Sequence, residues 1–250
     1  ILRVVTPLWV QVPPLAPISD LNMKYAALFI LFFAPFIFSN ELEKKFENFI
    51  LNNPEIILKS LEKYEQEKIE EIEIENKKKI SESKELIVNS KNGLYLGNPN
   101  GKKVIVEFFD YNCSYCKKAH EDIKKLLTDQ DVKIIFKNFP ILSERSIELA
   151  KLAIVIGKLD NKKFNSFHEF IFTNKRPPSE KKISEFLSGL DLDYENLKNV
   201  LNEDDVIKDL EKDVNLARDL KLRGTPAFII NEEILSGYVG FEELKSKILN

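Results

Sequence analysis

From about residue 100 onward, short apolar runs alternate with apolar positions at helical spacing. Lys103–Phe109 is apolar on both faces, which is typical of a central strand, and Val132–Phe136 predicts a second one. Helical spacing between them predicts a helix from Cys113 to Leu127. A strand, a helix and another strand in this order predict two parallel strands joined by a crossover.

The pattern then changes to a helical block over residues 143–222. After the block, Gly224–Ile230 predicts a turn that leads into a strand, Glu233–Ser236 predicts one more strand, and a closing helix begins at Phe241. These elements predict an α/β layer fold with a helical insertion. The segment Asn89–Pro99, rich in Asn and Gly, predicts a connecting loop, so we expect the globular domain to occupy residues 90–250.

Residues 40–89 predict a helical extension in front of that domain. An amphipathic helix is expected from Glu41 to Asn53, and Pro54 can open a second one that reaches about Glu85. The second helix carries only a narrow apolar stripe, formed by Leu58, Leu61, Ile69, Ile72 and Ile80. One interpretation is a solvated helix with i,i+4 charge pairs, and the other is a spacer that joins copies of the chain through residues 41–85.

The first 39 residues predict a targeting segment. Met23 and Lys24 precede an apolar stretch of about fourteen residues, Tyr25 to Phe38, which ends on Ser39. This pattern matches a secretory signal peptide over residues 23–39, and the stretch is short for a membrane span of about 20 residues. We expect translation to begin at Met23, with residues 1–22 as an upstream extension, and the mature protein to be periplasmic. An uncleaved membrane anchor is the alternative.

Composition narrows the possible functions. The net charge of −3 offers no basic patch of the kind that nucleic acids bind. The chain has two cysteines, separated by two residues. A disulfide between them would close a short ring and remove little entropy from the unfolded chain, so stability is a poor reason for the pair. Redox chemistry or metal binding is the better one.

Cys113 and Cys116 lie where the central strand gives way to a helix. A helix N-terminus favours a thiolate, so Cys113 is the expected attacking thiol and Cys116 can resolve the resulting mixed disulfide. Metal binding competes with this interpretation, because zinc could be held by the cysteines with His120 and His168, and copper by the two soft sulfurs. A binding protein that does not use the thiols, or two plain core cysteines, are further alternatives. For the histidines themselves, a packed core position for His168 and a helix-face position for His120 are expected.

Glu107 is a candidate proton carrier. Strand alternation places it on the same face as Ile105 and Phe109, so its carboxyl points into an apolar layer. Burial raises the pKa of a carboxyl, and Glu107 precedes Cys113 by only six residues. We expect it to move the proton of Cys116 during resolution; the alternative is a glutamate at the strand edge that reaches solvent.

Three separated motifs, Val106–Lys117, Phe136–Leu142 and Arg223–Phe228, resemble the DsbA branch of the thioredoxin-like proteins, and within it the ScsC-like subgroup with an N-terminal helical extension. The resemblance implies a thioredoxin fold with an inserted helical domain, with Cys113 as nucleophile, Cys116 as resolving cysteine and Glu107 as buried acid. It also implies that Thr225 and Pro226, a threonine and a cis-proline, face the disulfide, where Thr225 could hold an extended client peptide.

The resemblance further implies a protein disulfide oxidoreductase that needs no bound cofactor. Its partners would be cysteine-containing exported proteins and a membrane redox partner that resets the disulfide. The central dipeptide departs from the best-known members, which carry proline and histidine where this chain has Ser114 and Tyr115. Because a histidine there can stabilise the thiolate, its absence favours an isomerase or a milder oxidase. We expect Ser114 and Tyr115 to contact the client.

Overall fold

The computed structural model describes residues 41–129 and 131–249. The chain divides into two compact units, residues 1–67 and residues 68–250. The signal peptide predicted over residues 23–39 and the upstream extension predicted over residues 1–22 lie outside the described residues. In the part of the chain that the structure describes, no helix is both long and apolar enough to cross a lipid bilayer.

The described part of the first unit is helical. Helix α1 covers residues 41–52, and α2 runs over Pro54–Glu82, so both predicted helices of the extension are confirmed. The side chain of Asn53 donates to the carbonyl of Phe49 at 2.6 Å where α1 ends, and Pro54 opens α2. The large apolar side chains of α1 and of the first half of α2 are exposed, among them Leu42, Phe46, Phe49, Leu58 and Leu61.

The end of α2 differs from the prediction. The helix stops at Glu82 rather than near Glu85, and a short helix α3 follows at Lys84–Val88. Ile80, which the pattern placed on the exposed stripe, is buried with Ile87 of α3 and Leu216. Burying an isoleucine stabilises a fold by about 1.5–3 kcal/mol, so this end of α2 is part of the core of the second unit.

The second unit is built on a five-stranded sheet with the order β1-β3-β2-β4-β5. The strands are β1 Tyr95–Gly97, β2 Lys103–Phe109, β3 Val132–Asn138, β4 Ala227–Ile230 and β5 Glu233–Ser236. Strands β2 and β3 are parallel, as predicted, and the other neighbours are antiparallel. The Asn- and Gly-rich segment predicted to be only a loop contains β1, and its turn approaches α5 so closely that a Cβ on Gly93 would lie 2.1 Å from the carbonyl oxygen of Gly157.

Helices cover both faces of the sheet. Helix α4 spans Ser114–Asp129, and the closing helix α10 spans Phe241–Leu249. The predicted helical block is confirmed as five helices: α5 Glu144–Leu159, α6 Asn161–Thr173, α7 Glu180–Ser188, α8 Tyr194–Val200 and α9 Asp204–Asp219. Alternate side chains of β2 lie on opposite faces of the sheet and pack into two different hydrophobic clusters. Ile105 and Phe109 join the main core with α4, α5, α6 and α10, whereas Val106 and Phe108 pack with α3 and the end of α9.

A buried polar cluster fixes α9 to the sheet. The ammonium of Lys137 on β3 lies 3.4 Å from the carboxylate of Asp213 on α9 and donates to the carbonyl of Asn89 at 2.9 Å. The same carboxylate accepts the backbone N–H of Asn138 at 2.9 Å. A buried charge pair needs such additional hydrogen bonds to offset the loss of hydration, so the cluster also fixes the register of α9 along β3.

Candidate active site

Cys113 is the residue immediately before α4, so the helix begins one position later than the sequence predicted. Its backbone N–H donates to the carbonyl of Asp110 at 3.0 Å, and its carbonyl accepts the N–H of Lys117 at 3.2 Å. Cys116 lies one turn further on. Both are free thiols, Cys113 with 6% of its surface exposed and Cys116 with none. Of the two sulfurs, the first is therefore the one that another protein can reach.

The surroundings of Cys113 stabilise its thiolate. Its pKa is lowered to about 6, first by the hydrogen bond from the Cys116 side chain and against the opposing effect of burial. The Thr225 side chain and the backbone N–H groups of Tyr115 and Cys116 contribute further. The N–H of Cys116 lies 3.3 Å from Cys113 Sγ, as expected for a sulfur at the open end of a helix. Cys113 is thus largely ionised at neutral pH.

The pKa values of Cys116 and Glu107 are raised, in contrast to that of Cys113. Burial, followed by the hydrogen bond with Cys113 and the charge of Glu107, raises the pKa of Cys116. Glu107 is buried on β2 between Phe136 of β3 and Phe228 of β4, and its Oε1 has no hydrogen-bond partner. Burial and then the charge of Cys113 raise the pKa of this carboxyl. Glu107 is therefore buried, as predicted, and does not reach solvent at the strand edge.

Thr225 and Pro226 face the cysteines from the other side. The peptide bond between them is cis, and the carbonyl oxygen of Thr225 lies 3.2 Å from Cys113 Sγ, which donates to it when it is protonated. Pro226 precedes β4, and its carbonyl accepts the N–H of Gly237 at 2.9 Å. The structure therefore brings together the two cysteines, Glu107 and Thr225, although up to 118 positions of sequence separate them.

Sequence reasoning missed the residue that holds the cysteine loop. Asp110 is buried at the end of β2, and its Oδ1 accepts the N–H of Asn112 at 2.7 Å. Its other oxygen accepts the N–H groups of Ile141 and Leu142, at 2.9 and 3.0 Å. One carboxylate thus ties the loop before Cys113 to the loop after β3. An aspartate two residues before an asparagine, directly after a strand, is an Asx-turn signal that could have revealed it.

The two residues between the cysteines are exposed, as contact with a client requires. The ring of Tyr115 stacks on Tyr238, with centroids 6.2 Å apart, and the hydroxyl of Tyr238 donates to buried Asp122 at 2.7 Å. Tyr238, from the segment after β5, is a second residue that the sequence did not single out. It forms an aromatic surface with Tyr115 beside Cys113.

Both histidines are buried, and each has a different hydrogen-bond partner. His168 is buried among aromatic rings, as predicted, and its Nδ1 lies 3.0 Å from the hydroxyl of Tyr111. His120 was expected on a helix face; it is a buried residue of α4, with its Nε2 2.6 Å from Glu169. Glu169 is 49 residues away in sequence and comes from α6, so only the packing of α4 on α6 reveals this contact.

Within residues 41–129 and 131–249, no three or more His, Cys, Asp or Glu side chains are grouped so that they could hold a metal ion.

A mixed sheet of this order, a dithiol at the start of the helix that follows its central strand and a cis-proline opposite define the class of thioredoxin-fold dithiol proteins. Comparison with known proteins agrees. The family model described as thioredoxin matches residues 89–250. Disulfide bond formation protein D of Bacillus subtilis is 28% identical over 165 residues, covering 61% of this chain and 74% of that protein.

Solved structures show the same relationship. The thiol-disulfide exchange protein α-DsbA2 of Wolbachia pipientis is 30% identical with a TM-score of 0.64, covering 70% of this chain and 95% of that one. A linker-deletion variant of Proteus mirabilis ScsC is 25% identical with a TM-score of 0.64, covering 84% of this chain and 93% of that one. The chain belongs to the thioredoxin family. Within it, the protein is a DsbA-like thiol–disulfide oxidoreductase, which confirms the predicted fold and activity.

Proposed function

We propose that the protein forms or isomerises disulfides in cysteine-containing proteins that have been exported from the cytoplasm, with Cys113 as nucleophile and Cys116 as resolving cysteine. The observation that carries the proposal is the contrast between the two sulfurs. Cys113 is partly accessible with a pKa of about 6, whereas Cys116 is fully buried with a raised pKa. One sulfur is therefore reactive towards a partner, and the other reacts only with its neighbour.

The chemistry proceeds in two exchanges. The Cys113 thiolate attacks one sulfur of a client disulfide, so that the client S–S bond breaks, a mixed disulfide forms and the second client sulfur leaves as a thiolate. Cys116 then loses its proton and attacks Cys113, which closes the Cys113–Cys116 disulfide and releases the client as a dithiol. Two electrons pass from the protein to the client. The same steps in reverse oxidise a client dithiol.

Glu107 is the group to which we assign the proton of Cys116. Its carboxyl has a raised pKa and an unpartnered oxygen, and its charge acts on Cys116. A carboxyl poised nearer neutrality exchanges protons more effectively than an ordinary one. Glu107 takes up the proton when Cys116 attacks and returns it when Cys116 leaves.

Client binding is assigned to Thr225, Pro226, Ser114 and Tyr115. The backbone of Thr225 already contacts Cys113, so an extended peptide placed along it would present a cysteine to that sulfur. Tyr115 and Tyr238 offer an apolar surface at the same place. Contacts through the backbone of Thr225 and one aromatic surface would select little of the sequence of a client.

We expect the protein to act as an isomerase or a mild oxidase of its clients. Neither Ser114 nor Tyr115 is a cationic side chain that would hold the thiolate more firmly, and the helix end, Cys116 and Thr225 supply the stabilisation. A less stabilised thiolate makes the protein disulfide less oxidising. In oxidation, a membrane redox partner would restore the disulfide.

The roles of the N-terminal segment and of the helical extension follow from the sequence and from the exposure of their side chains. Residues 23–39 would be the export signal that leads to the periplasm, and residues 1–22 an upstream extension. Residues 41–67 would join copies of the chain, because the apolar side chains on α1 and the first half of α2 are exposed. The second unit, which contains the buried end of α2 as well as residues 90–250, would then be the catalytic domain of each copy.

Thiol alkylation tests the roles of the two cysteines. In the reduced protein, we expect one thiol to react with iodoacetamide with a midpoint near pH 6 and the other to stay protected until the protein unfolds. Cys113→Ser should lose the reactive thiol and all exchange with a peptide disulfide. Two thiols with ordinary midpoints near pH 8.5 would contradict the proposal.

Two variants at Cys116 test whether its hydrogen bond lowers the pKa of Cys113. Cys116→Ala removes the hydrogen bond to Cys113, so the pKa of Cys113 should rise. Cys116→Ser retains a donor and should raise it less. Both variants should trap the mixed disulfide, because neither can resolve it.

A further inference from the structure

A buried carboxylate fixes the aromatic surface beside Cys113. Asp122 on α4 uses both of its oxygens: Oδ1 accepts a hydrogen bond from the ammonium of Lys125 at 2.9 Å, and Oδ2 accepts one from the hydroxyl of Tyr238 at 2.7 Å. The ring of Tyr238 in turn stacks on that of Tyr115, with the ring planes inclined by 27°. The carboxylate thus holds a tyrosine from the segment after β5 against a residue that lies between the two cysteines.

Lys118 lies on the same surface. Its ammonium is 5.1 Å from the centroid of the Tyr115 ring, within the range of a cation–π interaction, and its side chain is exposed. A lysine on a helix commonly pairs with a carboxylate four residues later, which for Lys118 is Asp122. Lys125 and Tyr238 engage both oxygens of Asp122 instead, so the ammonium of Lys118 is left over the aromatic ring.

The neighbouring lysines of α4 have partners inside the protein. Lys124 pairs with Glu169 at 2.7 Å, and the ammonium of Lys117 donates to the backbone carbonyl of Asn174. In the part of the chain that the structure describes, no carboxylate lies within ion-pair distance of the ammonium of Lys118. The charge of Lys118 is therefore available to a carboxylate of another protein.

The charge of Lys118 also lies near the reactive sulfur. The backbone N–H of Tyr115 is one of the groups that stabilise the Cys113 thiolate, so the ring below Lys118 belongs to a residue that contacts this sulfur. Lys118 follows Cys113 by five residues, which corresponds to about 7.5 Å along a helix axis. An extended client advances about 3.3 Å per residue. A side chain two or three residues from the client cysteine can therefore reach Lys118.

We propose that Lys118 is a specificity-determining residue, which binds an acidic side chain two or three residues from the client cysteine that Cys113 attacks. The proposal rests on the proposed role of Cys113 as the nucleophile. The partner that this surface fits is thus an exported protein with an aspartate or a glutamate close to its reacting cysteine. Since an exposed ion pair contributes modestly, the expected preference is about two- to fivefold in rate.

The two tyrosines favour this pairing because they order the lysine beforehand. An exposed ion pair is weakened by the rotamer freedom that its long side chains lose. The contact with Tyr115, which is itself held by Tyr238 and Asp122, fixes the ammonium of Lys118 before a client arrives. Less freedom is then lost when the client binds.

Peptides with a single cysteine test the preference. They are blocked at both termini and carry Glu, Gln or Lys two residues from the cysteine, in one set before it and in another set after it. The cysteine is activated as a disulfide with 2-thiopyridine, a neutral group. When the Cys113 thiolate attacks the peptide sulfur, a protein–peptide disulfide forms and the pyridine thiolate leaves. It takes up a proton from water to become 2-thiopyridone, whose absorbance gives the rate.

We expect the reduced wild-type protein to react about two- to fivefold faster with the Glu peptide than with the Gln peptide in at least one set. High salt should weaken this preference. Lys118→Gln should abolish it, Lys118→Glu should favour the Lys peptide, and Lys118→Arg should retain the preference for Glu. Lys162→Gln, an equal change of charge at the exposed start of α6, is the control and should behave as the wild type.

Two results would overturn the assignment of Lys118. One is a wild-type protein that reacts equally with the three peptides, or a Lys118→Gln variant that keeps the preference. The other is an equal loss of rate with all three peptides in Lys118→Gln together with a raised midpoint for iodoacetamide, because Lys118 would then act on the thiolate. Failure of the proposed function is a separate outcome, in which the wild-type protein reacts with no peptide through a thiol of midpoint near pH 6.

Discussion

Two buried carboxylates of this protein have opposite surroundings. Asp213 has the ammonium of Lys137 and the amides of Asn138, whereas Glu107 has a free oxygen and apolar neighbours on both adjoining strands. Removing one partner of a buried, hydrogen-bonded charge pair is strongly destabilising, whereas a buried carboxyl without a partner next to a reactive group is a candidate for proton transfer. The difference is why we place Glu107, and not Asp213, in the chemistry.

This difference predicts an effect of Glu107 on stability. Because the folded state raises the pKa of Glu107, its unfavourable contribution is absent at low pH and grows as pH rises from about 4.5 towards the folded pKa. We expect Glu107→Gln to be more stable than wild type at pH 8, by an amount that shrinks as pH falls to 4. Urea unfolding of the reduced proteins at several pH values measures it, and a constant difference across this range would contradict the expectation.

Single residues were predictable where the local pattern carries the information. Glu107 interrupts an apolar strand, so alternation alone predicted its burial, and the spacing of Cys113 and Cys116 predicted the dithiol. The bond between His120 and Glu169, like that between Tyr111 and His168, joins residues 49 and 57 positions apart. Such pairs depend on how α4, α6 and the cysteine loop pack, which no local pattern contains.

Among the elements, strands and helices with a clear period were predicted almost to the residue. Strand β2 was predicted as Lys103–Phe109 and is observed so, and β5 likewise as Glu233–Ser236. Strand β1 was missed because its three residues, the last of which is Gly97, are too few to show alternation, and its pairing with β3 alone makes it a strand. Ile80 shows the same limit, since its burial depends on where the end of α2 packs.

The attachment of α9 to β3 predicts a large effect of one substitution. Asp213→Ala leaves the buried ammonium of Lys137 without its counter-charge, so we expect a loss of about 3–5 kcal/mol in the free energy of unfolding. Asp205→Ala, on the same helix, removes an exposed partner of Lys158 and should change stability little. Similar losses in the two variants, measured by urea unfolding, would show that the buried pair does not stabilise this contact.

At the scale of the whole molecule, the exposed apolar side chains of the extension predict self-association. Leu58 and Leu61 have 62% and 53% of their surfaces exposed, and the apolar residues of α1 are exposed as well. We expect light scattering to give a mass larger than one chain for the wild type and the mass of one chain for the double variant Leu58→Lys and Leu61→Lys. Lys59→Gln, on the same helix, should keep the larger mass.

Point substitutions are the better test here because the boundary of the extension differs from the predicted one. A deletion that begins the chain at Ser90 would remove Ile80 and Ile87, which belong to the core of the second unit. A change of mass in that deletion could then reflect unfolding. A wild-type protein with the mass of one chain at all concentrations would reject association through α1 and α2.

The short edge strands of the sheet affect how the protein can interact with unfolded clients. The outer strands, β1 and β5, are three and four residues long, whereas the inner strands β2 and β3 have seven each. A long bare border would let any extended polypeptide add to it indefinitely, which is the first step of fibril growth. With borders this short, the enzyme could hold a client by the backbone of Thr225 for one exchange without becoming a template for its aggregation.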